Sequence, residues 1–136
     1  MNISVPRPPI VLVVEDDFLL RMDAVDIVRN AGFEAIEAAN ADQAIAIIEA
    51  DPDIHIVFTD VQMPGTMDGL RLARFIRDRW PPIKIVATSG RLRVVEEDLP
   101  KGSIFVPKPY SPEQIIRTFR QLTDSDGETS RVRGKQ

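Results

Sequence analysis

Apolar residues along this chain follow two rhythms, one of strands and one of helices, that alternate five times. Residues 10–14 (IVLVV) are an unbroken, mostly β-branched run, as expected of a strand buried on both faces. Residues 18–31 place Leu19, Met22, Ile27 and Val28 at helical spacing, and Gly32 stands where that helix should stop. Residues 33–37 alternate as a short strand. Asn40 can cap a second helix, with Gln43 as the other half of a capping box, and Asp51-Pro52 halts it. Residues 54–59 (IHIVFT) read as a third buried strand. A third helix is expected over residues 67–80, closed by Pro81-Pro82, and residues 83–87 (IKIVA) as a fourth strand. A weak helix follows over residues 92–98, within an irregular stretch spanning 90–103. Residues 104–106 are the fifth strand, and Ser111 caps the last helix, with Pro112 at its first position and Gln114 three residues after the cap.

Strand followed by helix, repeated five times, predicts an α/β fold: a doubly wound (βα)5 five-stranded parallel sheet of flavodoxin-like type. Residues 1–8 are a Pro-rich, flexible lead and 9–122 the folded unit. Residues 123–136 (TDSDGETSRVRGKQ) hold almost nothing apolar and are expected to be a disordered tail.

Composition narrows the possibilities. A chain of 136 residues, 43% hydrophobic and 28% charged, suits one soluble globular domain. Seventeen basic against 21 acidic residues give a net charge of −4, which argues against broad binding to nucleic acid. No cysteine means no disulfide framework and no thiolate metal site. The first ten residues lack the apolar core of a signal peptide, and no apolar run approaches a membrane span. A cytoplasmic location is the expectation.

In open parallel sheets, sites form beyond the carboxyl ends of the strands. Strand one ends in Glu15-Asp16-Asp17, strand three at Asp60, strand four at Thr88-Ser89, and strand five leads to Lys108. Each has a bland reading. The acidic run could cap the next helix, Asp60 could be a turn residue, Thr88 a cap and Lys108 a solvated lysine. All four coincidences would have to fall on one rim. Two carboxylates about 5 Å apart repel by roughly 3 kcal/mol at an effective dielectric near 20, so the cluster calls for a cation. An all-oxygen donor set suits Mg²⁺ rather than zinc. A carboxylate beside such an ion can attack phosphorus, with the Lys108 ammonium offsetting charge.

Residues 13–17 (VVEDD), 59–64 (TDVQMP), 87–89 (ATS) and 106–109 (VPKP) together resemble receiver domains of two-component response regulators, of the single-domain chemotaxis-regulator-like type. The resemblance spans residues 9–122. It implies that Asp60 is the phosphoacceptor, that Asp16 and Asp60 ligate Mg²⁺ directly, that Glu15 holds it through water, and that the backbone carbonyl of Gln62 completes the protein ligands. Lys108 would pair with Asp60 or its phosphate, with Lys108-Pro109 as a cis bond. Thr88 would turn toward the phosphoryl group, letting Phe105 move inward as the second switch residue. The output surface would be the helical stretch near 92–98, the fifth strand and the last helix. The implied donor is a sensor histidine kinase or histidine phosphotransfer protein. Output would run through protein contact within a phosphorelay, by a monomer or a phosphorylation-dependent dimer.

Three departures stand out. The loop at residues 63–69 (MPGTMDG) is one residue longer than the usual form, the span from Thr88 to Lys108 is slightly short, and Phe105 lacks the hydroxyl of the commoner tyrosine. His55 and Trp80 read as structural residues, and Arg71, Arg74 and Arg77 as a solvated helix face. A phosphohydrolase of the haloacid dehalogenase type would share the chemistry, but its D-x-D pattern is missing at Asp60-Val61-Gln62. No phosphate-binding glycine motif is present, and the intact acidic and lysine set argues against a binding module that has lost phosphorylation.

Overall fold

The computed structural model describes residues 7–51, 53–63, 67–90 and 96–135, of which 96 and 125–135 are described in backbone only. Along the chain run β1 (Ile10–Val14), α1 (Phe18–Asn30), β2 (Glu34–Ala38), α2 (Ala41–Ala50), β3 (Ile56–Asp60), α3 (Gly69–Arg79), β4 (Lys84–Ser89), a 3-10 turn (Glu96–Asp98), β5 (Ile104–Pro107) and α4 (Pro112–Lys135). The five strands form one parallel sheet in the order β2-β1-β3-β4-β5. Strand order reverses between β1 and β3, and the crevice beyond that reversal is where such folds bind ligands.

The period of two along each strand divides the interior into two cores. From β1, Ile10, Leu12 and Val14 join Ala44 and Ile48 of α2 and Leu72 and Ile76 of α3. Val11 and Val13 face the other way, toward Val25 and Val28 of α1 and Ile115 and Phe119 of α4. Both faces of the sheet are therefore covered, which is why β1 could read as a continuous apolar run. Phe119, with no exposed surface, lies edge-on to Phe33 and Phe58 at centroid distances of 5.8 and 5.4 Å.

The helix starts follow side-chain capping. Asp17 accepts from the N–H groups of Leu19 and Leu20, Asn40 from Gln43, Asp68 from Arg71 and Ser111 from Gln114. Asp68 explains why α3 begins at Gly69, two residues later than the apolar pattern predicts. Gly32, with φ of 91°, follows the end of α1 in the left-handed region open to glycine.

The largest difference from the sequence pattern lies between β4 and β5. Residues 91–95, the first part of the expected weak helix, lie outside the described residues. Glu96–Asp98 form a 3-10 turn, which Pro100 and the left-handed Gly102 keep from continuing toward β5. Leu99 anchors this crossover in the α2/α3 core. Arg74 donates to the Asp98 carbonyl at 3.2 Å, and Arg77 to the Pro81 carbonyl at 2.8 Å. Those two arginines are thus ties to backbone, not merely the solvated face expected of them. His55 is structural: its Nδ1 accepts from the N–H of Ile10 at 3.1 Å. Helical backbone continues through Lys135, past Thr123, where the sequence pattern ends order.

Candidate functional site

Four strand ends meet at one rim. Asp60 is the last residue of β3 and lies in register with Thr88 on β4, with the Val61 N–H bonded to the Thr88 carbonyl at 2.8 Å. The register of β1 with β3 sets Val14 beside Thr59, so Glu15 and Asp16 leave β1 next to Asp60. Lys108 follows β5, its N–H held by the Ser89 carbonyl at 2.9 Å, and its peptide bond to Pro109 is cis.

These placements give a compact charge cluster. Lys108 Nζ lies 2.9 Å from Asp60 Oδ2 and 3.5 Å from Glu15 Oε1. Asp60 Oδ1 accepts from the Gln62 N–H at 3.0 Å, and Glu15 Oε2 from the Asp17 N–H at 3.1 Å. Glu15 and Asp60 are buried while Asp16 is exposed. Burial pushes the Glu15 carboxyl up from 4.5 to about 7 against the Asp17 bond, and the Asp60 charge adds to the rise. Burial alone would lower Lys108, yet its hydrogen bond to Asp60 and that carboxylate's charge hold it above its ordinary value.

One oxygen from each of Glu15, Asp16 and Asp60 lies within 4.8 Å of the others. One ammonium facing this group leaves net negative charge, and every donor is a hard oxygen. That set fits Mg²⁺. Gln62, expected to ligate through its carbonyl, is placed at the site by its N–H bond to Asp60. Thr88 is 4% exposed, and its Oγ1 has no hydrogen-bond partner among the described residues. Phe105 lies half-buried against the α2/α3 core, paired with Ala87 beside Thr88. Gly90, two residues after Thr88, is exposed, and among the described residues a Cβ there would meet nothing within 4 Å.

Some participants were not singled out by the sequence. A Cβ on Gly69 would overlap the Asp60 carbonyl oxygen and come within 2.6 Å of Val61 Cα. The Gly69 N–H also bonds the Val61 carbonyl at 2.8 Å, so the loop closes tightly under Asp60. Residues 64–66 of that longer loop lie outside the described residues. Arg21 donates to the Glu15 carbonyl at 2.9 Å and to Glu37 at 3.0 Å. The position of Arg21, four residues after Asp17, was the available signal; its partners are set by tertiary structure. Tyr110 packs on Phe58 and lines a groove of about 840 Å³ with Glu15, Leu20, Ile27 and Lys108. At the start of α1, Phe18, Leu19, Leu20 and Met22 are 60, 70, 45 and 45% exposed.

A family model described as the response regulator receiver domain matches residues 11–120. The chain is 35% identical over 118 residues to sensor kinase CckA of Brucella abortus (strain 2308), a match covering 84% of this chain and 12% of that protein. It is 32% identical over 138 residues to transcriptional regulatory protein PdtaR of Mycobacterium tuberculosis (strain ATCC 25618 / H37Rv), covering 93% and 65% respectively. The chain therefore spans less than two thirds of the length of these curated relatives. A solved response regulator receiver protein from Sinorhizobium medicae WSM419 superimposes with a TM-score of 0.80 at 26% identity, covering 86% of this chain and 95% of that one.

Proposed function

Because the chain belongs to the response regulator receiver domain family of two-component systems, we propose that it is a phosphoacceptor switch whose Asp60 is charged by a histidine kinase or histidine phosphotransfer protein. The observation that carries this reading is the ion-paired Asp60 at the centre of a rim shared by Glu15, Asp16, Thr88 and Lys108. In the transfer, an Asp60 oxygen forms a bond to phosphorus as the bond from phosphorus to the donor imidazole nitrogen breaks, and the imidazole takes up a proton. Lys108 remains beside the new acyl phosphate and offsets its charge. A Mg²⁺ held by Glu15, Asp16, Asp60 and the Gln62 carbonyl would supply further positive charge to the phosphoryl oxygens.

The apolar start of α1 supports a protein donor. Four large exposed apolar side chains sit directly after the acidic run, and one of them, Leu20, lines the groove that reaches Lys108. Once Asp60 is modified, the unpartnered Thr88 hydroxyl gains an acceptor, and Phe105 follows it inward to change the surface around β5. Phe105 has no hydroxyl, so this response rests on packing alone. Among the described residues no helix is long and apolar enough to cross a membrane, and we assign the domain to the cytoplasm.

Intact mass after incubation with acetyl phosphate and Mg²⁺ tests the reading. One added phosphoryl group is expected, lost in Asp60→Asn or with a chelator. Uptake that survives Asp60→Asn would overturn the assignment, and steady phosphate release from unrelated phosphoesters would favour an enzyme.

A further inference from the structure

We infer that Arg21 is a positioning residue for the cation site, setting the direction in which Asp16 leaves the backbone; this inference rests on the Mg²⁺ site proposed above. Arg21 stands one turn into α1, its N–H bonded to the Asp17 carbonyl at 2.8 Å. Its side chain is only 15% exposed and reaches back along the helix. Nη1 donates to the Glu15 carbonyl at 2.9 Å, while Nε donates to Glu37 Oε1 on β2 at 3.0 Å. The guanidinium carbon also lies 5.5 Å from the centroid of the exposed Phe18 ring.

The Glu15 carbonyl and the Asp16 N–H belong to one rigid plane. Clamping that oxygen fixes the plane and hence the starting direction of the Asp16 side chain. Glu15 is gripped from two sides: its carboxylate by the Asp17 N–H and Lys108, its carbonyl by Arg21. Asp16 is exposed and sits immediately beyond the clamp. Glu37 holds the other end of the guanidinium, so the direction is referred to β2, a neighbouring strand of the sheet. Preorganised ligands bind a metal more tightly because less freedom is lost on binding.

This role and a plain electrostatic one predict opposite signs. Removing a cation near a metal site should tighten Mg²⁺ binding if charge alone matters. Removing a clamp should weaken it. Calorimetric titration of Mg²⁺ into the whole protein, without any phosphoryl donor, separates the two, with urea unfolding to verify the fold of each variant. Arg21→Gln is expected to weaken Mg²⁺ binding on the order of 10-fold, with Arg21→Lys intermediate. A folded Arg21→Gln that binds Mg²⁺ as tightly as wild type, or more tightly, overturns the inference. Should Arg21→Gln not fold, Arg21→Lys decides, because it keeps the charge and loses the two-pronged grip: weaker binding supports the clamp and unchanged binding overturns it. A wild-type protein that binds no Mg²⁺ overturns the site itself, and the clamp with it.

Discussion

β1 and β3 are buried along their whole length, whereas β5 closes the sheet with one buried residue out of four. The crossover from β3 to β4 contains the eleven-residue helix α3, while the described part of the next crossover holds a three-residue 3-10 turn. The carboxylates of the site leave the well-packed strands. Thr88, Phe105 and Lys108, to which the proposed function gives the response, lie toward the thin edge. Charged ligands need a fixed frame to hold their spacing, while a switch needs neighbours that can rearrange at low cost.

The contrast is most exposed to a pair of deletions. Phe119→Ala removes the ring shared by α4 and the sheet and should lower stability by about 3–5 kcal/mol, read from urea unfolding. Phe105→Ala should cost only about 1 kcal/mol, yet abolish the phosphorylation-dependent change in the amide spectrum of β5 while phosphoryl uptake persists. Comparable costs for the two would break the contrast. Gly69→Ala forces a methyl against the Asp60 carbonyl. A loss of about 1–3 kcal/mol, with slower uptake on Asp60, is expected.

A pH titration sharpens the picture of the acidic side. Between 4.5 and about 7 the folded protein keeps a proton on Glu15 that the unfolded chain has lost. Stability in metal-free buffer should therefore fall as pH rises through that window. Lys108, held above 10.5, stays charged throughout it. Glu15→Gln should flatten the slope, and a slope that persists in that variant would assign it to other groups. The smallest effect belongs to the thin crossover. Arg74→Ala should change global stability by no more than about 0.5 kcal/mol, while amide exchange over residues 96–103 speeds up.

Strands and site ends could be read from the sequence because both are local. An apolar run such as residues 10–14 carries its own burial pattern, and the residue after a strand lies on the rim whatever the rest of the chain does. The same holds for Asn40 and Ser111, whose capping partners are three residues away. What escaped depends on distant backbone. Arg74 and Arg77 looked solvated because carbonyl partners leave no mark in the sequence. Gly69 looked like one more loop glycine, since the close approach that requires it comes from Asp60 and Val61. The weak helix expected over 92–98 was already expected to end at Pro100 and Gly102; its described part, Glu96–Asp98, is a 3-10 turn, and the rest lies outside the described residues.

Thr88 carries a wider consequence. Among the described residues its buried hydroxyl has no hydrogen-bond partner, and leaving such a bond unmade costs about 1–3 kcal/mol. If Thr88 is the switch hydroxyl proposed above, such a handicap would tilt the unmodified domain toward any arrangement that offers the oxygen a partner, and its background activity would depend on this side chain's surroundings.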